Sequence, residues 1–108
     1  MINIEEIYYY LPNDPVDNRS IGLENPSWDM EVLHNKTGVS TRYYANDNET
    51  ALDLSIRACE ELLQSKSELK DHIDGLIFCT QSNDYIMPPN SSILHGVLNL
   101  SEDVFAYD

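Results

Sequence analysis

The sequence has few basic residues and a large excess of acidic ones. Lysine and arginine together number 6, against 19 aspartate and glutamate residues, which gives a formal net charge of −13. An acidic surplus of this size repels the phosphates of nucleic acids and of anionic lipids, and the basic residues form no cluster in the sequence. We therefore expect no nucleic acid and no membrane among the partners.

Long apolar runs, glycine and cysteine are also scarce in this chain of 108 residues. No apolar run approaches the ~20 residues that a membrane-spanning helix needs. The 4 glycines form no phosphate-binding loop. The first ten residues carry acids and tyrosines where a signal peptide has a basic and then an apolar segment, so we expect a cytoplasmic protein. Cys59 and Cys79 are accordingly expected to be free thiols, packed in the core.

The order of predicted elements indicates an α/β fold. Apolar and β-branched runs predict four strands, and the strand at Ile73–Gln81 is expected to be buried on both faces. The strands are Ile2–Pro12, Val39–Ala45, Ile73–Gln81 and Val104–Tyr107, the last also expected to be buried. The stretch Asn13–Pro26 is predicted to form turns, with at most a short helix around Ile21. Helices are predicted over Ser27–Gly38 with Ser27 as the cap, over Asn46–Lys66, and over Asn90–Leu98 with Asn90 or Ser91 as the cap.

The clearest helical pattern lies in Asn46–Lys66. Apolar residues recur there at i, i+4, i+7 and i+11, a spacing that places them on one face of a helix. They are Leu52, Ile56, Cys59 and Leu63. Asn48 or Asp47 is expected to cap the start of this helix.

Residues with catalytic or metal-binding chemistry are present, but their spacing forms no known constellation. The three histidines, His34, His72 and His95, lie far apart and at no metal-ligand spacing from other ligand residues. Ser82 lacks the glycine-flanked turn that presents a nucleophilic serine. We therefore expect no metal site.

Five segments resemble, in order and spacing, the N-terminal third of a β-ketoacyl-acyl carrier protein synthase III. They are YYLP, WDMEVLHNKTGV, TRYYANDNETALDLSIRA, IDGLIFCTQSNDYIMPPN and LNLSEDVFAYD, and together they cover essentially the whole chain. The most specific pieces are KTG followed by an arginine, the NET opening of the long helix, and the strand followed by the CTQS loop and proline. The resemblance implies a thiolase-like fold, with a mixed sheet covered by helices, of which residues 1–108 would be a partial N-terminal domain.

The resemblance also implies a reaction, the decarboxylative Claisen condensation of acyl-CoA with malonyl carrier protein in fatty acid biosynthesis. The family's catalytic cysteine follows the strand that VFAYD matches, and its histidine and asparagine come later still. We therefore expect no catalytic residue in this segment, and a chain that is inactive alone. Acyl-CoA would be a substrate, no cofactor is expected, and the expected partners are acyl carrier protein and a second copy of the enzyme.

Three residues are implied to bind substrate. Lys36 matches a position where the family often has an arginine near the CoA phosphates. Val32 stands where an adenine-stacking aromatic residue is often found, and Trp28, one turn earlier, could take that role. Met87 matches a pocket-floor position in a loop at the dimer interface, although an ordinary loop methionine is an equal alternative.

Two other functions fit the same sequence. One is a non-catalytic dimerisation or scaffold piece. The other is a thiolase-like enzyme of secondary metabolism, which this segment does not distinguish from the first proposal because primer choice depends on pocket residues elsewhere.

Overall fold

The computed structural model describes residues 1–108, which form two compact units. The small unit is Leu11–Asp47, and the large unit combines Met1–Tyr10 with Asn48–Asp108. Helices and short strands follow one another in the order β1 (Val16–Asp17), α1 (Asn18–Glu24), α2 (Met30–Thr37), β2 (Thr41–Arg42), α3 (Ala51–Ser65), a 3-10 helix (Ser67–His72), β3 (Gly75–Ile77), α4 (Asn90–Val97) and β4 (Phe105–Tyr107). This mixture of helices and strands is the α/β pattern that the sequence predicts.

The first and last regular elements of the small unit are the two strands of a short antiparallel ladder. Strand β1, Val16–Asp17, pairs with strand β2, Thr41–Arg42, with Val16 opposite Arg42. Next to the ladder, the backbone N–H of Asn18 donates to the carbonyl of Ser40 at 3.1 Å. The predicted strand Val39–Ala45 is therefore confirmed only at its centre, because only these residues find a partner strand.

Two capped helices lie between these strands. Helix α1, Asn18–Glu24, is the short helix allowed around Ile21 in a stretch predicted to form turns, whereas strand β1 in the same stretch was not predicted. Helix α2, Met30–Thr37, confirms the helix predicted next along the chain but begins later than predicted, because Asp29 and not Ser27 accepts the N–H of Val32. It ends at Gly38, whose φ of 70° is the left-handed conformation that glycine adopts without strain.

Helix α3, Ala51–Ser65, is the longest helix of the chain. The prediction of Asp47 or Asn48 as its cap is wrong, since Thr50 accepts the N–H of Asp53 while the Asp53 carboxylate accepts the N–H of Thr50. This capping box satisfies two N–H groups at the helix start. No helix of the chain has both the length and the apolar character that crossing a membrane requires.

The core of the large unit forms around α3, as its apolar stripe predicts. Leu52 is buried there, and Ile56, Cys59 and Leu63 pack against the same cluster. The other buried members of the cluster are Phe78, Leu94, Leu98, Leu100 and Val104. Burial of these side chains is the main source of stability of the unit.

A parallel strand pair lies beside this core. Strand β3, Gly75–Ile77, pairs with strand β4, Phe105–Tyr107, and helix α4, Asn90–Val97, occurs in the connection between them. The predicted strands at both places were too long, and their predicted burial is wrong. Ile77 is 78% exposed and Tyr107 is 65% exposed. Each strand has one partner and one covered face, so alternate side chains point away from the core.

Gly75 allows an aromatic side chain to lie directly on the exposed face of this pair. A Cβ atom at position 75 would lie 2.0 Å from Cζ of Phe105. The Phe105 ring in turn lies 5.6 Å from that of Tyr107, centroid to centroid. The outer face of β3 and β4 is thus apolar and aromatic although it is open to solvent.

The predicted opening strand Ile2–Pro12 is wrong, because no other strand pairs with this segment. Isoleucine and tyrosine favour strands only when a neighbouring strand supplies hydrogen bonds and packing. The segment instead contacts α3 and the residue after it: Tyr8 Oη donates to Ser65 Oγ at 2.7 Å, and Lys66 pairs with Glu6. Arg57 donates to Tyr10 Oη at 3.0 Å.

Candidate functional site

The start of α2 presents an open apolar surface in the small unit. Trp28 precedes the helix and is 55% exposed, and Val32 lies in the first turn of the helix. The expectation that Trp28 lies one helical turn before Val32 is therefore wrong, because the helix begins only at Met30. Trp28, Asp29, Val32 and Leu33 line a shallow depression there, and its surface is almost wholly apolar. This surface is suited to bind the face of a flat ring, with the Trp28 indole as the stacking partner.

Lys36 lies in the last turn of the same helix and is exposed. It forms no ion pair in the structure, so its ammonium group is available to an anion. A lysine provides a compact charge, whereas an arginine would provide a planar fork for a phosphate. Trp28 and Lys36 thus lie at opposite ends of α2, Trp28 just before its N-cap and Lys36 in its last turn.

Met87 lies in the large unit, in the loop that connects β3 to α4. Its side chain is 78% exposed, and that of the preceding Ile86 is 99% exposed. Met87 therefore belongs to a different compact unit from Trp28 and Lys36. The loop contains no acid, base or thiol in a catalytic arrangement.

The loop is joined to the sheet by a hydrogen-bond network at the start of α4. The Asp108 carboxylate accepts the backbone N–H of Asn90 at 2.9 Å and that of Ser91 at 2.6 Å. The Asn90 side-chain carbonyl accepts the N–H of Asp84, which lies in the loop, at 3.2 Å. The predicted cap, Asn90 or Ser91, is wrong: the N-cap position is Pro89, which has no side-chain donor or acceptor.

The environment of Asp108 lowers the pKa of its carboxyl group. The Ser91 side chain is the largest cause, and the backbone N–H groups of Ser91 and Asn90 add to it. The Ser91 hydroxyl has no partner at hydrogen-bonding geometry, so it acts on the carboxylate only as a nearby polar group. The hydrogen bonds that hold the carboxylate come from the two backbone N–H groups. Sequence reasoning missed this residue, because nothing local in VFAYD links it to a helix 17 residues earlier.

Neither cysteine is arranged as a nucleophile. Cys59 packs against the core, and burial, with a smaller effect of Glu60, raises the pKa of its thiol. Cys79 is exposed, so the prediction that it packs in the core is wrong. The ring nitrogens of His34 and His95 contact backbone carbonyls instead of a thiol. No group of three or more histidine, cysteine or acidic side chains could hold a metal ion.

Comparison with known proteins finds relatives named as β-ketoacyl-acyl carrier protein synthases. A Campylobacter jejuni protein named as a 3-oxoacyl-[acyl-carrier-protein] synthase 3 is 41% identical over 71 residues, which are 66% of this chain and 20% of that protein. The β-ketoacyl-[acyl-carrier-protein] synthase III of a Ruegeria species is 26% identical over 100 residues, 93% of this chain and 30% of that protein. No protein-family model matches the chain.

Solved structures of synthases with similar names share the fold of this chain. A solved 3-oxoacyl-(acyl-carrier-protein) synthase III superimposes with a TM-score of 0.82 and 29% identity, covering 97% of this chain and 32% of that one. The chain therefore has the α/β fold of part of a thiolase-like condensing enzyme. Homologues named β-ketoacyl-acyl carrier protein synthase III cover almost all of it, so the resemblance drawn from the sequence is confirmed. The chain spans about a third or less of the length of these relatives.

Proposed function

We propose that this chain forms the N-terminal portion of a β-ketoacyl-acyl carrier protein synthase III-like acyltransferase. The reaction would be the decarboxylative condensation of acyl-CoA with malonyl carrier protein in fatty acid biosynthesis. The observation that carries the proposal is the structural match over 97% of the chain to a synthase III, together with relatives of the same name in sequence. The segment supplies no catalytic residue, so residues 1–108 alone would bind substrate without turning it over.

Trp28 and Lys36 would bind the CoA portion of the substrate. The apolar depression at Trp28 suits the face of an adenine ring, and the exposed ammonium of Lys36 suits a phosphate. Acyl-CoA would act as a substrate, and the reaction would need no further cofactor. The proposed partners are acyl carrier protein and a second copy of the enzyme, in the cytoplasm.

Met87 would contribute to acyl-chain binding. It is an exposed, unbranched side chain in an apolar loop segment, and a thioether adapts to chains of different length. The loop would lie at the interface between two copies of the enzyme.

An activity assay on the complete reading frame that contains this chain tests the proposed reaction. The protein should release CO₂ and form a 3-oxoacyl product from acetyl-CoA and malonyl carrier protein, while residues 1–108 alone should form none. A complete protein that forms no such product with acetyl-CoA or longer acyl-CoA would contradict the proposal.

A binding assay tests the two residues proposed for CoA. Replacing Lys36 with alanine should weaken CoA binding about tenfold, as expected for the loss of one charged contact of roughly 1.4 kcal/mol. Trp28→Ala should weaken it similarly, and Trp28→Phe should retain most of the affinity because a stacking ring remains. Lys70→Ala, a lysine of the large unit, is the matched control. Equal affinities for all four variants in calorimetry would refute these roles.

The alternative of a non-catalytic dimerisation piece has one observation in its favour. The outer face of β3 and β4 and the loop at Ile86 and Met87 expose apolar side chains. Under that alternative, residues 1–108 would bind no CoA and the complete protein would form no 3-oxoacyl product, so the binding and activity assays described above distinguish the two functions.

A further inference from the structure

Helix α4 is capped from a distant part of the chain. Its own N-cap position is Pro89, and no side chain of the helix bonds its first N–H groups. The Asp108 carboxylate, at the carboxyl end of β4, accepts from the first two of them. A carboxylate at a helix N-terminus is favourable because it satisfies unpaired donors and opposes the helix dipole.

The two residues whose backbone N–H groups donate to this carboxylate are the most buried residues of the chain. Asn90 and Ser91 are both fully buried. From Asn90 the network continues into the loop, since its side-chain carbonyl accepts the Asp84 N–H at 3.2 Å and its amide nitrogen lies 3.5 Å from the Asp84 carboxylate. One set of bonds therefore runs from the end of β4, through the start of α4, to the middle of the β3–α4 loop.

The other end of the loop is fixed to the same strand. The backbone N–H of Phe78 donates to the carbonyl of Tyr107 at 2.8 Å, so the chain leaves β3 beside the end of β4. Tyr107 and Asp108 thus hold both ends of the segment that carries Ile86 and Met87. Between these ends most side chains are exposed, among them those of Tyr85, Ile86 and Met87.

We infer that Asp108 is a positioning residue that fixes the β3–α4 loop, and with it Met87, against the carboxyl end of β4. It acts through Asn90 and does not touch Met87. The consequence for substrate rests on the proposed function: in a condensing enzyme with Met87 at the acyl chain, Asp108 would set which chain lengths fit.

Amide hydrogen exchange on the 108-residue chain tests the positioning role. In Asp108→Ala the amides of Asn90, Ser91 and Asp84 should exchange at least tenfold faster, because all three lose direct or relayed protection. The amides of α3 should change much less, which separates release of the loop from a general loss of stability. Asp103→Ala, an exposed aspartate five residues earlier, is the matched control and should leave all three amides within twofold.

A second variant isolates the relay. Asn90→Ala retains the backbone donors to Asp108 but removes the acceptor for Asp84, so only the Asp84 amide should exchange faster. If Asp108→Ala does not fold, Asn90→Ala still tests whether the loop is held through Asn90. Unchanged exchange at Asp84 in either variant, or an equal increase throughout α3, would overturn the inference.

Kinetics on the complete enzyme test the consequence for substrate. Asp108→Asn should change the ratio of KM values for octanoyl-CoA and acetyl-CoA at least threefold, with a smaller effect on kcat. An active Asp108→Asn enzyme with an unchanged ratio would overturn the specificity role. An unmutated enzyme inactive with every acyl-CoA would refute the proposed function, and the exchange experiment would still decide whether Asp108 positions the loop.

Discussion

At the scale of single residues, Thr50 controls the start of the longest helix. Replacing it with alanine removes the acceptor for the Asp53 N–H and half of the capping box. The expected cost is about 1 kcal/mol of unfolding free energy. Thr50→Ser is the control, because its hydroxyl can accept the same bond and should retain most of the stability. Urea unfolding measures both, and equal stability of the serine and alanine variants would refute the role of the cap.

A second residue, Asp17, should make stability depend on pH. It caps α1, and the Ser20 N–H, followed by the Ser20 side chain, lowers the pKa of its carboxyl below the ordinary 3.8. A lowered pKa in the folded state stabilises the fold above the unfolded-state pKa, and this contribution disappears as the pH falls through the folded-state value.

Asp17→Asn should therefore differ most from the unmutated chain near neutral pH and converge with it below about pH 3.8, in thermal unfolding followed between pH 2.5 and 7. Asp14→Asn, a nearby aspartate that caps no helix, should show no such convergence. Identical pH profiles for the two variants would contradict the assignment.

At the scale of elements, the two faces of α4 should contribute very differently. Leu94 is 3% exposed in the core, whereas Val97 on the same helix is 51% exposed. Leu94→Ala should cost about 2 to 5 kcal/mol because it leaves a cavity, and Val97→Ala should change stability by less than about 0.5 kcal/mol. Urea unfolding of both variants measures the contrast, and similar losses would mean that the helix packs differently.

The helices α2, α3 and α4 were predictable from the sequence, whereas three strands were predicted too long and the strand Ile2–Pro12 was predicted where none forms. The stripe Leu52–Leu63 follows helical periodicity, which is a local property, so it locates α3 and its buried face. The segment Ile2–Pro12 is rich in residues that favour strands, yet it forms no strand, because strand pairing depends on a partner elsewhere in the chain. The same non-local dependence explains why the Asp108 contact was missed, since it joins residues that are adjacent only after folding.

At the scale of the whole molecule, the net charge of −13 and the exposed apolar side chains have opposite effects on self-association. Charge repulsion keeps copies of the chain apart, and screening weakens it as the Debye length falls from about 10 Å at 0.1 M salt to about 3 Å at 1 M. We therefore expect self-association to increase with salt, measured by light scattering at micromolar concentration. If the chain is monomeric at both salt concentrations, this expectation is contradicted and the proposal of a dimer loses support.

The candidate substrate site was less predictable than the family. Trp28, Lys36 and Met87 were singled out through resemblance, and the structure adds that all three are exposed. Exposure leaves each of these side chains accessible to a ligand, which the proposed binding roles require.

The parallel pairing of β3 with β4 has a kinetic consequence. These strands form one ladder although residues 78–104 lie between them, so their contact requires closure of a long loop. Helix α3, with its local capping box, needs no such closure. We expect α3 to form early in folding and the β3–β4 pair late, after α4 has packed on the core. During that interval the Phe105 strand would be an unpaired edge, and the risk of misassembly with another chain would be greatest.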